Sequence, residues 1–181
     1  RLFAYALDLK GSEFFAIRVR DLATGDDLPD VLEDSNGSFV WAEDGQTLFY
    51  TVLDENHRPY GVKRHRLGSD PAADDLVYRE ADPGFFVGVG KTASRRWLVI
   101  SAHDHTTAEL RICPADRPDA AWRLVAPRER DVEYDLEDLG PQDGERNGGD
   151  RFVIRTNADG AEDFKLVTAP VADPGRANWS D

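Results

Sequence analysis

Five carboxylates crowd into the eight residues from Asp131 to Asp138: Asp131, Glu133, Asp135, Glu137 and Asp138. On an extended strand alternate side chains share a face, so Glu133, Asp135 and Glu137 fall on one side and Tyr134, Leu136 and Asp138 on the other. If that strand lines a channel, the first face can present negative charge to a cationic peptide. A solvated strand edge accounts for the same residues without any ligand. The row Glu133, Asp135 and Glu137 is therefore the candidate for substrate contact.

Two other constellations read more plainly. In His103-Asp104-His105 the two histidines face the same way, but they sit where a strand gives way to a turn. With no third ligand at usable spacing, a solvated turn is expected rather than a metal site. Asn157-Ala158-Asp159-Gly160 has the look of a calcium loop but lacks the distal bidentate glutamate, and reads as a hairpin in which Asp-Gly accepts positive φ. There is no G-x-S-x-G elbow and no phosphate-binding loop. Neither His57, His65, His103 nor His105 stands in a recognisable triad. No catalytic residue, metal or cofactor is assigned to this chain.

The composition narrows the partners. A net charge of −13 over 181 residues argues against nucleic acid, which calls for a basic face, and suits cationic ligands or simply solubility. No apolar run approaches the roughly 20 residues of a membrane span, and the N-terminus carries no signal-peptide pattern. Cys113 stands alone, so nothing argues for an oxidising compartment. Methionine is absent and the first residues already read as a strand, as in a piece of a longer polypeptide.

The elements that must position these residues repeat roughly every 47 residues. Leu2–Leu7 recurs as Leu48–Leu53, Leu98–Ala102 and Phe152–Thr156. Phe15–Arg20 recurs as Gly61–Arg66, Glu109–Cys113 and Phe164–Thr168. Ser38–Ala42 recurs as Phe85–Val89 and Val132–Leu136. Strand-rich repeats of this length are propeller blades, each of four antiparallel strands, a to d from the axis outward.

The predicted class is therefore all-β, a partial β-propeller of about three and a half four-stranded blades. Its units are 1–33, 38–80, 85–126 and 132–181 of one domain. The first has only b, c and d (Leu2–Leu7, Glu13–Arg20, Leu28–Glu33). Strand a of the second is Ser38–Ala42, of the third Phe85–Lys91 and of the last Val132–Asp138. Strand d of the third is Trp122–Ala126, and the last blade stops before its d is complete. The b strands, apolar on both faces, should be sandwiched between neighbours. The c strands carry Arg18, Arg20, Lys63, Arg64, Arg66, Arg111 and Lys165, whose stems can lie on apolar surface near the rim. Leu139–Asp150 breaks the period with Gly, Asn, Pro and charge, and reads as a mobile a–b loop.

Leu48–Gly68, LFYTVLDENHRPYGVKRHRLG, closely resembles the propeller of the oligopeptidase B (protease II) group in the prolyl oligopeptidase family of serine peptidases. Asp21–Pro29, Gly37–Ala42, Phe85–Thr92 and Thr106–Arg111 resemble it in the same order, and the likeness covers nearly the whole chain. The Leu139–Asp150 loop is the main departure. The resemblance implies a seven-bladed propeller capping a C-terminal α/β-hydrolase domain of the same polypeptide, where a Ser-Asp-His triad lies. It also implies a cytoplasmic enzyme that admits short peptides and cleaves after Arg or Lys. No triad position falls in this chain, so by itself it should be inactive. A non-enzymatic propeller that binds partners is the alternative. A third reading, a metal-dependent lactonase, requires axial Glu, Asn and Asp ligands.

Overall fold

A computed structural model describes residues 1–138, 140 and 150–181. The stretch expected to form the mobile loop lies, save for Gly140 and Asp150, outside the described residues. The chain forms two compact units, Arg1–Val89 and Gly90–Asp181. Both are built from antiparallel strands, and the only helical segments among the described residues are single 3₁₀ turns.

In the first unit six strands form one sheet in sequence order: β1 (Leu2–Leu7), β2 (Phe15–Asp21), β3 (Asp27–Trp41), β4 (Thr47–Leu53), β5 (Pro59–Arg66) and β6 (Asp75–Arg79). The sequence separates Leu28–Glu33 from Ser38–Ala42 as the outer strand of one blade and the inner strand of the next. Both instead belong to the single 15-residue strand β3. Its front half pairs with β2 and its back half with β4. Ser35 is the shared position, opposite Phe15 on one side and Val52 on the other. The backbone bends rather than breaks there because Asp34 and Gly37 take positive φ, 56° and 85°. At Gly37 a Cβ would lie 3.3 Å from the Phe15 ring, so this bend suits glycine for space as well as conformation. The bent sheet closes on a core of Ala4, Ile17, Val19, Leu32, Leu48, Tyr50 and Val52.

In the second unit β7 (Phe86–Lys91), which spans the join, edges a sheet with β8 (Trp97–His103), β9 (Ala108–Pro114) and the two-residue β10 (Arg123–Leu124). A further sheet holds β11 (Tyr134–Glu137), β12 (Arg151–Thr156) and β13 (Lys165–Pro170). The outer strand expected over Trp122–Ala126 shrinks to Arg123–Leu124. Its neighbours Val125 and Ala126 turn inward to join Leu110, Ile112, Tyr134, Phe152, Ile154 and Val167 in the core. Burying each such aliphatic or aromatic side chain contributes about 1.5–3 kcal/mol.

Only β4 meets the expectation of a b strand buried on both faces, with all seven residues enclosed. β1 is an edge strand whose Phe3 and Leu7 remain 54% and 41% exposed, and β12 turns Arg151 and Arg155 outward. Two of the basic c-strand residues pair with aspartates of the neighbouring strand. Arg20 grips Asp27 on the adjacent strand with two hydrogen bonds, of 2.8 and 3.1 Å, and Arg64 reaches Asp75 at 2.6 Å.

One device recurs at the b–c hairpins. The first turn residue is an aspartate whose carboxylate accepts backbone N–H groups of its own turn. Asp8 takes those of Lys10 and Glu13, Asp54 those of Asn56 and Arg58, and Asp104 those of Thr106 and Thr107. In the fourth hairpin Thr156 Oγ1 accepts from Ala158 instead, and Asp159 and Gly160 take the positive φ expected of the Asp-Gly pair.

Candidate functional site

The alternation predicted for the acidic strand is present in β11. Tyr134, Leu136 and Asp138 are buried, while Asp135 is exposed and Glu133 and Glu137 are partly so. The three candidates do different things. Glu137 Oε1 accepts the backbone N–H groups of Ala93 (2.7 Å) and Asp138 (2.8 Å), which ties the turn after β7 to the end of β11. Asp135 accepts from Arg155 on the paired strand at 2.8 Å, an exposed cross-strand ion pair. Glu133 uses its backbone, its N–H donating to Asn157 Oδ1 at 2.8 Å and its carbonyl accepting from Thr156 Oγ1 at 2.8 Å. Its carboxylate has no ion-pair partner among the described residues.

Glu133 and Asp135 line a cavity of about 250 Å³ with Ser101, His103, Asp104 and Arg155. Three carboxylates and one guanidinium give it a net negative wall. Asp104 is held below the usual carboxylate range, first by the amide of Thr106 and then, against some desolvation, by that of Thr107. His103 Nδ1 lies 3.2 Å from the carbonyl oxygen of Asp104. His103-Asp104-His105 is thus a turn organised by its central aspartate. No group of three His, Cys, Asp or Glu side chains among the described residues is arranged to hold a metal.

Three polar networks carry no local signature in the sequence. In the first unit His65 is fully enclosed, with Nε2 2.9 Å from Asp30 Oδ1 and Nδ1 2.8 Å from Asp74 Oδ1. Tyr50 donates its hydroxyl to Asp74 (2.9 Å), and Gly68 its amide to Asp30 (2.6 Å). Burial pushes Asp30 up, but the Gly68 amide and the His65 ring outweigh it and leave the carboxyl low. Burial raises the Tyr50 phenol strongly, with the Asp74 charge adding to it.

In the second unit Tyr134 Oη accepts from the amides of Leu110 (2.9 Å) and Ala126 (3.2 Å) and donates to the Ala126 carbonyl (2.8 Å). Burial pushes this phenol up to about 12 even though the two amides pull the other way. Arg96 grips buried Asp138 through Nε and Nη2 (2.7 and 3.0 Å) and reaches Asp150 through Nη1 (3.1 Å). Desolvation raises Asp138, but Arg96, Gly140 and Ser94 more than offset it, and the carboxyl sits low.

Antiparallel sheets built on one recurring hairpin are the architecture of a β-propeller, and none of the three sheets closes on itself. The chain belongs to the prolyl oligopeptidase N-terminal beta-propeller domain family, whose model matches residues 1–181. It is 42% identical over its whole length to dipeptidyl aminopeptidase BI of Pseudoxanthomonas mexicana, covering 24% of that protein. It is 33% identical over 94% of its length to protease 2 of Moraxella lacunata, again covering 24%. Among solved structures, oligopeptidase B from Leishmania major matches 99% of the chain with a TM-score of 0.88 and 31% identity, over 24% of that chain. The chain thus spans about a quarter of the length of these relatives. No helix among the described residues is long and apolar enough to cross a membrane.

Proposed function

We propose that this chain is the gating and substrate-filtering part of a serine oligopeptidase that hydrolyses short peptides after Arg or Lys. The blades are 1–33, 38–80, 85–126 and 132–181 of one propeller, and the partner is a C-terminal hydrolase domain of the same cytoplasmic polypeptide. The observation that carries this reading is the full-length family match together with the 0.88 TM-score to an oligopeptidase B. A propeller over a peptidase site excludes folded proteins by geometry, and closure keeps water from the reacting bond.

Within that reading the acidic face of β11 attracts basic peptides. Glu133 is the member best suited to contact them, since Glu137 is committed to backbone amides and Asp135 to Arg155. The test is expression of the complete gene product and assay of N-blocked arginyl and lysyl anilides. Hydrolysis abolished by a serine-directed inhibitor, with none from the 181-residue chain alone, is expected. A complete product that shows no such hydrolysis would favour the non-enzymatic scaffold. In an active enzyme, Glu133→Gln should lower kcat/KM for basic peptides several-fold at low salt and leave neutral peptides unchanged.

A second reading follows from the 42% identity to a dipeptidyl aminopeptidase. On that reading the gene product releases dipeptides from a free amino end. Faster turnover of an unblocked dipeptidyl anilide than of its N-blocked counterpart distinguishes it.

A further inference from the structure

The enclosed His65 plays no part in the peptide-filtering reading, yet its surroundings are unusual for a core side chain. Both ring nitrogens meet carboxylate oxygens, Asp30 Oδ1 at 2.9 Å and Asp74 Oδ1 at 2.8 Å. A neutral imidazole has one N–H and one lone pair. Either tautomer would therefore leave a ring lone pair against a carboxylate oxygen at hydrogen-bond distance, with no room for water to intervene. Two N–H donors satisfy both contacts, and only the imidazolium has two.

We propose that His65 is an imidazolium clamped between Asp30 and Asp74, a charged latch that joins the first repeat to the second. Asp30 lies in β3 where that strand belongs to the first repeat, whereas His65 on β5 and Asp74 just before β6 belong to the second. The remaining neighbours fit this charge state. From β4, Tyr50 donates to the second oxygen of Asp74, and the Gly68 amide donates to Asp30. On β5 itself the flanking Arg64 is paired with Asp75 and Arg66 is exposed. Asp30 Oδ2 is buried without a hydrogen-bond partner, which leaves His65 as the counter-charge to that carboxylate. Loss of one ring proton would strand a buried carboxylate against a lone pair.

Two measurements test the latch. In protein labelled with ¹⁵N-histidine, the His65 ring should show both nitrogens protonated at neutral pH, whereas a single neutral tautomer would overturn the proposal. In urea unfolding at neutral pH, His65→Gln should have a clearly lower midpoint than the wild type, because the amide cannot carry the charge that faces both carboxylates. A midpoint equal to that of the wild type would show that the ring holds nothing together and would overturn the latch. Should His65→Gln fail to fold, the ring spectrum of the wild type decides the matter alone.

Discussion

The two compact units join successive strand repeats by opposite means. In the first, an outer strand is tied to the next repeat by an enclosed histidine between two aspartates, with a tyrosine and an amide completing the shell. In the second, the corresponding joint is the neutral phenol of Tyr134, which serves two amides and a carbonyl of the preceding repeat inside an apolar cluster. The ionic pair in that unit, Arg96 with Asp138, sits at its margin, with the guanidinium about one-third exposed. One scaffold therefore accepts either a desolvated charge cluster or a hydrogen-bonded phenol at the seam. The ionic version leaves more to lose when one member is removed.

Substitutions make the contrast measurable. Asp30→Ala should have the largest effect, about 3–5 kcal/mol in urea unfolding of the first unit, because it strands His65 without one of its two partners. A loss no greater than that of an ordinary surface substitution would show that the cluster has rearranged. Tyr134→Phe keeps the ring against Trp179 but leaves the Leu110 and Ala126 amides without their acceptor, for a cost of about 1–3 kcal/mol.

The same phenol sets an alkaline limit. Its native pKa is raised to about 12 from the ordinary value near 10, so its contribution is complete below about pH 10 and is lost as pH rises toward 12. That alkaline loss should be smaller in Tyr134→Phe, as followed by urea midpoints. At the acid end Asp30 and Asp138 are both depressed, so their stabilisation is full above the ordinary carboxylate value near 4 and fades as pH falls below it. Smallest of all, Asp135→Asn should change stability by about 0–1 kcal/mol, since its pair with Arg155 is open to solvent.

Much of the fold was legible because each hairpin advertises itself. Leu48–Leu53, Leu98–Ala102 and Phe152–Thr156 are apolar strands followed by turn residues, and the repeat places them in order. Continuity of β3 was not legible. Asp34-Ser35-Asn36-Gly37 has the composition of a loop, and only the pairing of Ser35 on both sides keeps it in the sheet. The acidic face of β11 followed from strand period alone, yet the task of Glu137 did not, since its amide partner Ala93 lies 44 positions away. His65 offered still less signal, with Asp30 35 residues upstream and on another repeat. A side chain that serves a distant backbone or charge leaves no spacing to read.

The 15-residue β3 has a mechanical corollary. Because one uninterrupted strand is laced to β2 at one end and to β4 at the other, pulling the two repeats apart loads backbone hydrogen bonds in shear rather than unfolding a slack connector. New termini introduced between Asp34 and Gly37 would cut a tensioned member. The hairpin at Asp54–Arg58, which carries its own carboxylate acceptor, is where a break or a short insertion should cost less.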